Sequence, residues 1–149
     1  MIQSKLINIL ARQNTMTSIF VYGTLMSQRI RNGMLRKEHP DFTPAYLKDH
    51  QRFSISGVRY PALCRVPGET VEGVLIRNLT EDDVIALDEF EGDEYVRTQV
   101  TCNLKDTDEA VDTWVYMWKA GRSDPLLGKV WSHEEFKQVE HVQALEWGV

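Results

Sequence analysis

The chain has 149 residues, 42% hydrophobic and 26% charged, with 17 Lys plus Arg against 22 Asp plus Glu for a net charge of −5. That length suits one domain with a core large enough to fold unaided, and the composition excludes a disordered or low-complexity scaffold. A mildly acidic chain without a basic stripe repels phosphate backbones, and no apolar run nears the roughly 20 residues that span a bilayer. Neither a nucleic acid nor a membrane is expected as a partner.

Residues 1–15 stand apart. They carry Lys5 and Arg12, no acid, and Ile2, Leu6, Ile9 and Leu10 at helical spacing, a pattern shared by mitochondrial presequences and plain upstream extensions. The expectation is a folded domain over 16–149, cytoplasmic, or mitochondrial if residues 1–15 act as a presequence. From Ser18 the pattern turns to β. Ser18 to Tyr22 reads as a short strand that stops at Gly23, and the polar run Ser27 to Lys37 as a helical turn or loop. Ala45–Leu47 and Phe53–Ile55 read as short strands separated by a polar turn. Tyr60–Cys64 reads as an edge or loop-proximal segment, because Pro61 cannot donate to a ladder. Pro67-Gly68 marks a turn before the strand Val71–Ile76.

Thr80 then announces a helix: it can cap, Asp83 stands at the third helical position, and acids fill the first turn. The helix should stop at Gly92. Tyr95–Leu104 and Val111–Trp118 are further strands, joined by the polar stretch Lys105–Glu109. A last helix begins near Ser132, where Glu135 completes a capping box, and lines Phe136, Val139, Val142 and Leu145 along one stripe. Many short strands, one mid-chain helix and one C-terminal helix make a single α+β domain. Cys64 and Cys102 lack a Cys-x-x-Cys pairing, and His39, His50, His133 and His141 show no ligand spacing, so two free thiols and no metal site are expected.

Two positions carry chemistry. A strand that ends in the turn Tyr22-Gly23-Thr24-Leu25 exposes successive backbone N–H groups that no ladder uses, and these bind a carboxylate or a developing oxyanion. Val84, Leu87 and Glu91 fall at i, i+3 and i+7, so Glu91 ends an apolar stripe that faces the core. A carboxyl held there is pushed up in pKa, as a proton shuttle near neutral pH requires. The other reading of Glu91 is an ion pair with Arg97. The tyrosines 22, 60, 95 and 116 either line a pocket or pack in the core.

Phe20-Val21-Tyr22-Gly23-Thr24-Leu25, Tyr60-Pro61-Ala62-Leu63, Val71-Glu72-Gly73 and Leu87-Asp88-Glu89-Phe90-Glu91-Gly92 with Tyr95-Val96-Arg97 occur in this order. Together they resemble the γ-glutamylcyclotransferase-like superfamily, in its branch of plant avirulence-induced-gene-like proteins and γ-glutamylamine cyclotransferases. The resemblance implies a small mixed β-barrel with flanking helices and a cavity at its mouth. It also implies a γ-glutamyl substrate held by Tyr22, Gly23, Thr24 and Leu25, Glu91 as acid–base residue, and cofactor-independent release of 5-oxoproline. Asp93-Glu94 makes the loop before Tyr95 shorter than in some relatives, which leaves the substrate's size open. The rival readings are a non-catalytic module that binds a small carboxylate and a stress-related interaction protein.

Overall fold

The computed structural model describes residues 17–34 and 41–137. The expectations for residues 1–15 and for Val139, Val142 and Leu145 fall outside them. The elements run β1 (Thr17–Val21), a 3-10 turn (Thr24–Met26), α1 (Gln28–Met34), β2 (Asp41–Ile55), β3 (Ala62–Leu79), α2 (Glu81–Glu91), β4 (Tyr95–Leu104), β5 (Ala110–Trp118) and β6 (Leu127–Val130). Neighbouring strands follow the order β3-β1-β5-β4-β2, and pairing of β2 with β3 closes the ring into a five-stranded barrel. β1 runs parallel to β5 and antiparallel to β3, so the barrel is mixed. β6 adds to the far end of β2. Among the described residues no helix is long and apolar enough to cross a membrane.

The strands differ from the sequence expectation in length. Ala45–Leu47 and Phe53–Ile55 belong to one 15-residue strand, and the polar turn between them is a bulge at Asp49, whose φ is 61°. Pro67-Gly68 likewise ends nothing: β3 is continuous over 18 residues, and its extra residues bulge opposite Asp49, whose Oδ1 accepts the Gly68 N–H at 2.9 Å. The facing bulges shift the pairing register, from Lys48 opposite Thr70 to His50 opposite Arg65, and let both strands coil around the barrel. β6 was not foreseen; it is four residues long and mostly exposed, so it has no apolar alternation to reveal it.

Alternation along β1 splits the core in two. Phe20 and Tyr22, the latter just past the end of β1, join the strand residues Leu47, Leu63, Leu75 and Val115 in one cluster, the barrel interior. Ile19 and Val21 turn outward to meet Ile30 of α1 and Val84 and Leu87 of α2. Gly73 permits the close crossing of β1 and β3: a Cβ there would lie 2.3 Å from the Val21 carbonyl oxygen. α2 starts as its sequence dictates. Thr80 Oγ1 accepts the Asp83 N–H at 3.2 Å, Asp83 Oδ2 accepts the Thr80 N–H at 2.9 Å, and Gly92 closes the helix with φ 77°. This capping box contributes about 0.5–2 kcal/mol and fixes where the helix, and hence Glu91, ends. After β6, Ser132 Oγ accepts the Glu135 N–H at 3.4 Å as a cap should, while the Glu135 carboxylate turns to Lys129 at 3.3 Å.

Candidate active site

β1 delivers Tyr22 and Gly23 to one rim of the barrel. Tyr22 points inward, and its hydroxyl donates to the Tyr116 carbonyl at 2.5 Å. The chain then turns tightly, with the Met26 N–H donating to the Gly23 carbonyl at 3.0 Å. The first N–H groups of such a turn have no acceptor within it. α2 brings Glu91 to the same rim. Tyr22, Gly23, Leu25 and Glu91 line one hollow of about 20 Å³ together with Tyr60, Pro61, Tyr95 and Tyr116. Four of the five expected site residues therefore converge, and Thr24 opens the 3-10 turn between Gly23 and Leu25.

Glu91 as a residue is half-buried, and its carboxyl lies on the enclosed side. Burial, with repulsion from Asp88 added, pushes its pKa from 4.5 to about 8. Arg97 does not neutralise it. That guanidinium reaches Asp88 instead, with Nε 3.2 Å from Oδ1, and lies over the Trp114 ring at 4.9 Å. The ion-pair reading of Glu91 is thereby corrected, because Arg97 on β4 faces the preceding turn of α2 rather than its last residue. Asp88 also accepts the Tyr116 hydroxyl at 2.6 Å. Tyr95 donates to the Pro61 carbonyl at 2.6 Å. Burial raises Tyr22, Tyr95 and Tyr116 far above the usual phenol range, with the Glu91 charge adding to each. All three are neutral hydrogen-bond donors at neutral pH.

A larger, open depression of about 580 Å³ surrounds Thr17, Ser18, Arg77, Asn78 and Thr113 at the other end of β1. The only carboxyl in its lining is Asp112, which is exposed and accepts the Thr101 hydroxyl at 2.7 Å. Size favours this depression, but the smaller hollow places a carboxyl held partly from water beside the Gly23 turn. Cys64 and Cys102 are buried free thiols outside that lining, and burial raises the pKa of both. Among the described residues no group of His, Cys, Asp and Glu is arranged to hold a metal.

Sequence reasoning missed three residues at this rim. Arg52 Nη1 donates to the Tyr22 carbonyl at 2.9 Å, and Arg31 Nη1 donates to the carbonyls of Leu25 at 3.0 Å and Met26 at 2.7 Å. Asp88 sits in an acidic stretch whose side chains read by default as a solvated helix face. No local signal marks Arg52, which meets its acceptor 30 residues away. For Asp88 a signal existed in its i, i+3 spacing to Glu91.

The closed mixed barrel is the fold of solved γ-glutamylcyclotransferases. A solved γ-glutamyl cyclotransferase superposes with a TM-score of 0.67 over 91% of this chain and 82% of its own, at 16% identity, a likeness of fold. An Arabidopsis thaliana protein solved in solution gives a TM-score of 0.69 at 30% identity, covering 88% of this chain and 87% of that one. In sequence the chain is 40% identical over 126 residues to AIG2-like protein D of Arabidopsis thaliana, spanning 84% of this chain and 82% of the relative. The model of the family "Gamma-glutamyl cyclotransferase, AIG2-like" matches residues 19–137. The chain belongs to that family.

Proposed function

We propose that this protein is a γ-glutamylcyclotransferase that closes the γ-glutamyl group of an amide on itself, releasing 5-oxoproline and a free amine or amino acid. The observation that carries the reading is the Glu91 carboxyl, held at a pKa of about 8 across one hollow from the Gly23 turn. The α-amine of the substrate has an ordinary pKa of about 7.7–8.0 and is largely protonated at neutral pH. Glu91 and that amine are matched, so proton transfer between them is close to thermoneutral. An ordinary glutamate near 4.3 would hold the proton several thousandfold less well.

The ionised Glu91 takes the ammonium proton. The freed nitrogen attacks the γ-carbonyl carbon, forming the ring C–N bond and placing negative charge on the carbonyl oxygen. The ring nitrogen then carries one proton more than the product keeps. As the bond to the leaving nitrogen breaks, Glu91 gives its proton to that nitrogen, and the carboxylate so regenerated takes the extra proton from the ring nitrogen and passes it to solvent. Backbone N–H groups of the Gly23–Leu25 stretch receive the substrate's carboxylate or the oxyanion. Holding the glutamyl chain folded back on itself supplies up to about 7–11 kcal/mol of the barrier reduction. A hollow of about 20 Å³ holds about one water, so the mouth widens as substrate enters. Tyr60, half-buried beside the exposed turn 56–59, is the rim residue placed to swing.

A pure carboxylate receptor gains nothing from a second carboxyl in its pocket, which disfavours the binding-module reading. The test follows 5-oxoproline release from a panel of γ-glutamyl compounds. Wild type should turn over at least one, and Glu91→Gln, which cannot accept the proton, should lose about 10²–10⁴-fold in rate while remaining folded. Full activity of Glu91→Gln, or an inert wild type across the panel, overturns the proposal.

A further inference from the structure

The carbonyl side of the glycine turn is held by two arginines that take no part in the proton transfers above. Arg52 projects from β2; its Nη1 donates to the Tyr22 carbonyl at 2.9 Å and faces Met26 Sδ at 3.8 Å, and its guanidinium lies 5.2 Å from the centre of the Trp131 ring. Arg31, on α1 and 7% exposed, donates to the Leu25 and Met26 carbonyls and stacks on Phe42 at 4.2 Å. The Nε of each is buried without a hydrogen-bond partner, and among the described residues neither arginine forms an ion pair. Desolvation lowers the pKa of both. A guanidinium drawn from water to bond a carbonyl rather than a carboxylate is poorly compensated, so stability alone is a weak reason for it to be there.

Peptide geometry supplies a better reason. In a trans peptide the C=O and the following N–H point in opposite directions. Among the described residues every peptide bond is trans, so drawing the Tyr22 carbonyl to Arg52 turns the Gly23 N–H away from β2. Glycine has no side chain of its own to stop that peptide from flipping, and Pro61, whose ring would lie 2.9 Å from a Cβ at Gly23, covers the turn without bonding to it.

We propose that Arg52 is a positioning residue: by holding the Tyr22 carbonyl it aims the Gly23 N–H at the oxyanion, while Arg31 anchors the other end of the same turn. The oxyanion is the better recipient than a carboxylate. Glu91 lines the same hollow, and a permanent anion there would face its charge, whereas the oxyanion appears once Glu91 has taken up the proton. The catalytic half of this inference rests on the cyclotransferase reading; the geometric half does not.

The test measures two things on the full chain. The first is steady-state 5-oxoproline release; the second is amide hydrogen exchange at Gly23, which needs no substrate. Arg52→Met keeps the volume and removes the clamp. It should lower kcat about 10²-fold with KM within about threefold of wild type. Gly23 exchange should quicken about tenfold in the same variant. Arg52→Ala should regain part of its kcat with added guanidinium, which a loss of folding would not permit. If Arg52→Met fails to fold, Arg52→Lys carries the test, with kcat expected about tenfold down because one ammonium replaces the planar fork. A kcat within twofold of wild type, or a change confined to KM, overturns the catalytic half. Unchanged Gly23 exchange overturns the clamp. An inert wild type removes the cyclotransferase reading, and the exchange measurement then still decides whether Arg52 holds the turn.

Discussion

Replacing Glu91 by glutamine should raise stability while removing activity, and the gain should depend on pH. In the folded chain burial and Asp88 move this carboxyl from 4.5 to about 8; in the unfolded chain it titrates near its ordinary value. Between those two pH values the folded state keeps a proton that the unfolded state has released, so stability falls as pH rises. The contribution is whole below about 4.5, declines across the interval, and is gone above about 8. At about 1.4 kcal/mol per pH unit, the cumulative loss is roughly 4–5 kcal/mol. Glutamine fills the same space without a proton to lose. In urea unfolding, Glu91→Gln should match wild type near pH 5 and lead it by roughly 3–5 kcal/mol near pH 9. A difference between the two proteins that stays flat across that range would refute the proton-holding carboxyl, and the base proposed for the reaction would go with it.

The other predictions concern the groups around this carboxyl. For wild type, kcat/KM should rise with pH towards about 8 as Glu91 ionises. Asp88→Asn removes the neighbouring charge while keeping an acceptor for the Tyr116 hydroxyl. Arg97, no longer paired, pulls the Glu91 pKa the same way, so the acid limb of the profile should move down by roughly half to one pH unit. An unmoved limb would show that Asp88 does not act on Glu91. Gly23→Ala places a methyl 2.9 Å from the Pro61 ring. It should cost about 1–3 kcal/mol in thermal or urea unfolding and at least about tenfold in kcat/KM; wild-type rates in this variant would mean that Pro61 yields freely and the turn is not a fixed wall.

Much of the site was legible because its ingredients are local. The Ser18–Tyr22 alternation, the stop at Gly23, the Thr80–Asp83 capping box and the Gly92 terminus depend on residues within a few positions of one another, and each appears in the structure where its chemistry puts it. Helical phase alone placed Glu91 at the end of the Val84–Leu87 stripe. The fold class was readable from the same signals. Strand lengths were not: the polar residues around Asp49 and Pro67-Gly68 look like turns along the chain, and only their mutual hydrogen bond across two strands makes them matched bulges.

What the sequence by itself determined is therefore where each element begins and ends and which face of α2 carries an acid. Tertiary structure alone decided what surrounds that acid. The burial that raises the Glu91 pKa comes from β1, β4, β5 and the 60–61 segment closing over it, with Asp88, one turn back in its own helix, adding repulsion. The choice of Asp88 over Glu91 by Arg97, and the grip of Arg52 on the Tyr22 carbonyl, follow from the barrel's closure. Capping and alternation are short-range terms fixed by neighbours in the chain, whereas desolvation and carbonyl orientation depend on segments that meet only once the barrel is closed.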